Sequence, residues 1–139
     1  MSWIAWSLLA AFFAGLTAIF AKIGVKEVDS NLATAVRTAV VLLFSWSIAL
    51  ATQPASAMLG FSKRTWIFLI LSGLATGCSW LCYFRALQLG EASKVAPIDK
   101  LSVVFVIILA AIFLGEALTW RTALGATLIT AGAVLLATR

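Results

Sequence analysis

The chain has 139 residues, 63% of them hydrophobic and 11% charged, with a net charge of +5 and a mean hydropathy of +1.11, whereas soluble domains carry roughly 25% charged residues. Water is therefore excluded as the main solvent, and five crossings of about 20 residues each leave no room for a catalytic domain on either side. The ten basic residues are scattered over loop ends and helix interiors and form no patch, which excludes nucleic acid as a partner.

The start Met1, Ser2, Trp3 lacks the positive region of a secretory signal, so the first apolar run, residues 3–21, is expected to remain as span one. A polar turn with Lys22, Lys26, Glu27, Asp29, Ser30 and Asn31 follows it. Span two covers 32–51 and stops ahead of Thr52, Gln53 and Pro54, where the missing amide favours a turn. The longest loop leads past Lys63 and Arg64 to span three, 66–87, and Gly90 marks the connection to span four, 93–114. Gly115, Glu116 and Ala117 turn the chain into a short fifth span, 122–138. Every backbone polar group in lipid needs an internal partner, so continuous helices are expected throughout. The fold class is an all-α integral membrane bundle of five transmembrane helices.

An odd number of spans puts the termini on opposite sides. On the N-terminal side, side A, Trp3, Trp6, Trp66 and Trp120 stand at span ends, where indole rings anchor at a headgroup interface. Side A carries Lys63, Arg64 and Arg121, and side B carries Lys22, Lys26, Lys94 and Arg139. The positive-inside rule barely chooses between the two, as expected of a chain that inserts in both orientations. A single orientation with side A cytoplasmic is the alternative.

An ionised group near the bilayer centre costs roughly 2.5–3.5 kcal/mol even on mild insertion scales. Arg37 enters span two by about five residues, or about 7.5 Å, and Asp99 with Lys100 lies similarly deep in span four. Lys22 and Arg85 stand nearer the ends of spans one and three, where long stems can reach the interface. All enter from side B, so Lys22, Arg37, Arg85 and Lys100 are expected to surround one carboxylate, Asp99. Asp99 is too short to reach water and should pair with Arg37, Arg85 or Lys100, although Lys100 stands about 100° further round the helix. Pro97 removes the amide that would bond to Ser93 and loosens the entry to span four. Freed carbonyls beside a charge mark binding sites in transporters.

Polar stripes run at helical spacing through Thr34, Thr38, Val41 and Ser45 on span two, and Ser72, Thr76, Ser79 and Tyr83 on span three. They face either a wet cavity or neighbouring helices, where each contact is worth around 0.6 kcal/mol. Gly73 with Gly77 forms a small-residue face suited to close packing, and Gly125 with Gly132 a seam for a second copy. Cys78 and Cys82, with no His in the chain to complete a metal site, are expected to be buried free thiols. No cofactor is implied.

The run Tyr83, Phe84, Arg85, Ala86, Leu87 to Gly90, then Ala96, Pro97 and Ile98, then Phe113, Leu114, Gly115 and Glu116, then Gly125 and Gly132, resembles helices three to five of the EamA-like drug/metabolite transporter superfamily. Ala21, Lys22, Ile23 and Gly24 fit its first half. Most members have two five-span repeats of opposite orientation. The resemblance therefore implies that 1–139 is one such repeat, pairing as an antiparallel homodimer of ten helices, with a substrate path between protomers. It implies a secondary transporter in the cell membrane, working by alternating access, with export the expected direction. The extra charges at Asp99 and Lys100 depart from the family pattern. Glu116, at an interface, is expected as a helix-end or dimer salt-bridge residue.

The excess of basic residues at side B points to a small polar or anionic metabolite. Candidate binding or coupling residues are Lys22, Arg37, Ser79, Tyr83, Arg85, Pro97, Asp99 and Lys100. Multidrug cation efflux, as in the small multidrug resistance family, would want an acidic residue deep in span one, which has none. A non-transporting membrane subunit, or a partner in flipping a lipid-linked sugar, is a third reading. Without His, no nucleophile, base and orienting group assemble, so an enzyme is not expected.

Overall fold

The computed structural model describes residues 2–138; Arg139, counted above with the side B charges, lies outside them. Helix α1 spans Trp3–Gly24, α2 Ser30–Thr52, α3 Lys63–Leu89, α4 Ala92–Asp99, α5 Ser102–Leu109 and α6 Trp120–Ala137. A 3-10 helix, Ala55–Gly60, occupies the loop between α2 and α3, and a π-helical turn, Ala110–Leu114, extends α5. Five stretches among the described residues are long and apolar enough to cross a bilayer: Trp3–Gly24, Ser30–Thr52, Lys63–Leu89, Ala92–Leu114 and Trp120–Ala137. Their order matches the five apolar runs, with ends that differ from the expected ones by at most three residues.

Those caps are local. The Asp29 carboxylate accepts from the amides of Asn31 and Leu32 at 2.9 and 3.0 Å and starts α2. Ser62 Oγ accepts from the Thr65 amide ahead of α3, and Thr119 Oγ1 from the Thr122 amide ahead of α6. Each satisfies a donor that the first helical turn leaves without a partner.

Span four is not the continuous helix expected of it. Pro97 lies inside α4 and withholds the amide that would reach Ser93, and the helix ends two residues later. The amides of Lys100, Leu101, Val103 and Val104 then bond three residues back, to Pro97, Ile98, Lys100 and Leu101, at 2.9–3.1 Å. Tight turns thus replace α-helical bonds across the break, so these four amides stay paired, as hydrocarbon requires. The break falls after Pro97, whereas the sequence placed the loosening at the entry. At the far end Gly115, at φ 69°, closes the π turn; its amide and that of Glu116 both bond to the Ala110 carbonyl. The left-handed backbone there explains the glycine.

The chain separates into two compact units, one formed by residues 21–88 and the other by the stretches before and after it. In the first, Ala21, Val25, Phe84 and Leu87 are buried with Ser30 and Thr34, a core confined to the side B ends of α1, α2 and α3. In the second, α4 and α5 pack on α6, where Ala133 is buried. The remaining apolar side chains of the spans are largely exposed on the chain, as are Trp3, Trp6, Trp66 and Trp120. Cys78 and Cys82 are free but exposed, contrary to the buried thiols expected; on α3 they lie outside the small core.

Two side chains tie the first unit together. Lys22 Nζ donates to the Leu87 carbonyl at 2.6 Å, placing a cation on the last turn of α3, where the helix dipole is negative. The Gln88 amide nitrogen donates to the carbonyls of Val28 and Val25 at 2.7 and 3.3 Å, while its oxygen accepts from Arg85 Nη1 at 2.7 Å. Replacing Gln88 by Leu forfeits these bonds, at about 0.5–1.5 kcal/mol net each. Denaturant unfolding of the purified protein in micelles should show Gln88→Leu destabilised by about 1.5–4.5 kcal/mol, with exposed Glu27→Gln within about 0.5 kcal/mol of the parent.

Candidate functional site

Arg37 stands seven residues inside α2, half-buried. Its guanidinium carbon lies 4.0 Å from the centroid of the Trp80 ring and 5.5 Å from that of Phe84. Trp80 and Phe84 are four apart on α3 and so share a helix face. A cation over an aromatic face gains about 0.5–1 kcal/mol when exposed and about 2 or more when desolvated, and Trp is the best of the rings. Tyr83 is close enough to Arg37 to interact with it electrostatically. Among the described residues, Arg37 has no carboxylate at ion-pair distance. Its planar fork therefore keeps donors for another anion.

The candidate residues fall into three sets by their contacts. Arg37 and Tyr83 belong to the aromatic cluster. Ser79, one turn before Tyr83, is exposed on α3. Lys22 and Arg85 meet at the end of α3 through Leu87 and Gln88. For these two the sequence foresaw stems reaching toward the interface, yet Lys22 is half-buried on a backbone carbonyl.

Pro97, Asp99 and Lys100 make the third set, at the break in span four. Lys100 Nζ bonds to Asp99 Oδ2 at 3.0 Å. Adjacent residues on an α-helix diverge by about 100°, so the pair closes where the chain leaves α geometry, with ψ of −9° at Lys100 and −16° at Leu101. Of the three partners weighed for Asp99, its sequence neighbour takes the contact.

The threonines of the polar stripes bond to their own helices. Thr34, Thr38 and Thr76 donate to the carbonyls of Ser30, Thr34 and Ser72 on their own helices at 2.7–2.9 Å. A hydroxyl so engaged needs no second helix and no water. Thr38, Val41 and Ser45 nonetheless line a groove of about 650 Å³ that continues along α2 past Trp46 and Ala49 to Gln53, Pro54, Met58 and Phe61. Gly73, Gly77, Gly125 and Gly132 stand against open space, where an added Cβ would meet nothing within 4 Å.

Sequence reasoning passed over Trp80, Phe84 and Gln88. A signal was present for the first two: α2 begins and α3 ends on the same side, and Arg37, seven residues in, matches the depth between Phe84, five from the end of α3, and Trp80, nine from it. Trp80 and Trp46 are also the tryptophans that no interface explains. Nothing comparable marked Gln88.

Five bilayer-length helices with ionised groups held inside the spans define a multi-pass membrane protein. Residues 1–138 match the EamA-like transporter family, and the chain belongs to it; the protein is a membrane transporter. It is 54% identical over 136 residues to a Sinorhizobium sp. protein described as "Uncharacterized transporter in cobO 3'region", covering 98% of this chain and 96% of that one. No solved structure matches.

Removing Lys100 leaves Asp99 inside span four without its ion-pair partner, at a cost below the roughly 2.5–3.5 kcal/mol of a charge at the bilayer centre. Lys100→Ala should therefore lower the yield of monodisperse protein on size exclusion, and Asp99→Asn in the same chain should restore it.

Proposed function

We propose that this transporter carries a small anionic metabolite across the cell membrane by alternating access, working outward. The observation that supports this reading is Arg37: a guanidinium half-buried inside a membrane span, stacked on Trp80, with no carboxylate partner among the described residues. A charge inside a span needs compensation, and here it comes from ring faces rather than from a carboxylate. The ring stabilises the charge while leaving its in-plane donors to a solute. The Asp99–Lys100 pair, at a broken helix, is the second candidate point of contact or coupling.

The functional unit proposed is an antiparallel homodimer in which the whole chain serves as one five-span repeat. Three features support it. Outside the apolar runs the basic residues are divided almost evenly, with Lys63, Arg64 and Arg121 on side A and Lys22, Lys26, Lys94 and Arg139 on side B. The small-residue faces at Gly73 and Gly77, and at Gly125 and Gly132, are open. The spans also expose most of their apolar side chains on the single chain, surface open to a second copy.

In proteoliposomes, Arg37→Ala should cut anion flux at least tenfold while the protein remains monodisperse, Arg37→Lys should retain part of it, and Lys100→Ala should also lower it. Full flux in both alanine variants removes the site assignment. Tags on the two termini, read in the same cells, should each report both sides of the membrane; a single orientation for every molecule removes the antiparallel dimer.

A further inference from the structure

Arg37 keeps its charge whatever stands beside it, because a guanidinium does not release its proton at any working pH. Alternating access takes the site through a state closed to water on both sides. With a monovalent anion on the in-plane donors, the closed site is neutral. Empty, it holds a lone cation, and the faces of Trp80 and Phe84 offset only part of that cost.

A carboxylate that pairs with the cation in the empty site, and takes up a proton when the anion arrives, would remove the difficulty. The chain has five carboxylate side chains, and none lies from residue 30 to residue 90, the stretch that carries Arg37 and its rings. Glu27 and Glu116 stand in connections between helices. The Asp29 carboxylate caps α2 by accepting from the amides of Asn31 and Leu32. Glu91 lies 3.6 Å from Lys94, and Asp99 lies 3.0 Å from Lys100. The Asp99–Lys100 pair is neutral as a whole and leaves the charge of Arg37 as it was.

We infer that the protein is an obligate anion exchanger: the site changes sides only with an anion on Arg37, so each anion carried out is matched by one of like charge carried in. This rests on the reading of Arg37 as the anion site and adds why the empty site does not return. The counter-ion is a small monovalent anion, since a divalent one leaves the loaded site charged in its turn. Exchange of one monovalent anion for another moves no net charge and no proton, so neither a membrane potential nor a pH gradient drives it.

Isethionate tests this, because a sulfonate stays ionised and does not cross lipid by protonation. The full-length protein in liposomes is given labelled isethionate outside, with dextran sulfate as the impermeant interior anion. Potassium and valinomycin on both sides keep any potential from limiting net flow. Uptake into vesicles that also hold unlabelled isethionate should run about tenfold or more faster than into vesicles without it, because an uncompensated charge slows the empty return. An imposed pH gradient should leave the exchange unchanged, and Arg37→Gln should abolish it. Ala33→Glu places a carboxylate one turn before Arg37, the favourable order for such a pair, and should bring the two uptake rates together. Size exclusion of each variant separates loss of transport from loss of fold. Equal, Arg37-dependent rates in the parent keep the anion carrier and sink obligate exchange. Flux that a pH gradient drives, and that Asp99→Asn or Glu116→Gln abolishes, also overturns it by assigning the return to a carboxylate. An unchanged ratio in monodisperse Ala33→Glu removes the uncompensated charge as the cause. Isethionate flux that is absent, or indifferent to Arg37→Gln, sinks the anion site itself and exchange with it.

Discussion

An ion among lipid tails must find compensation within a few ångströms, and this requirement governs the placement of the informative side chains. The chain meets it in three ways. Arg37 lies over an indole and a phenyl ring, Lys22 donates to a main-chain carbonyl at the negative end of a helix, and Lys100 pairs with the residue before it. The three are not equivalent in chemical consequence. A carboxylate neutralises a cation, and a carbonyl occupies one of its donors; a ring face stabilises the charge but leaves its donors available. Arg37 is thus the group whose environment both tolerates it and leaves it able to bind.

The same medium constrains the backbone. Span four abandons regular α geometry after Pro97 and again before Gly115, and in both places bonds of a different length replace the lost ones. The first break also brings Asp99 and Lys100 together, so a defect in the helix and an ion pair are parts of one local arrangement. By contrast, α2 keeps Arg37 on an unbroken helix.

Membership of the EamA-like transporter family is consistent with how little the chain buries on its own. The buried residues of the first unit gather where α1, α2 and α3 end, held by Lys22 and Gln88. Toward side A, α2 and α3 present open faces, among them the groove and the glycine pair of α3.

Hydropathy, proline and glycine positions were enough to locate five spans, because crossing a bilayer is a property of composition summed over about twenty residues. The residues resembling the family were likewise visible as a pattern of order and spacing. The partner of each charge was not. It depends on which helix faces which, and at 100° per residue a shift of one position turns a side chain from a neighbour toward lipid. The sequence accordingly offered Asp99 three partners, with Lys100 about 100° round the helix, and left Thr34, Thr38 and Thr76 open between a wet cavity and neighbouring helices. Only the tertiary structure set Arg37 on Trp80, turned Lys22 to the Leu87 carbonyl and bent the chain at Lys100 to close its pair with Asp99. Composition decides which medium a helix occupies; contact decides what each of its ions touches, because Coulombic and hydrogen-bonding partners act over distances shorter than one helical turn.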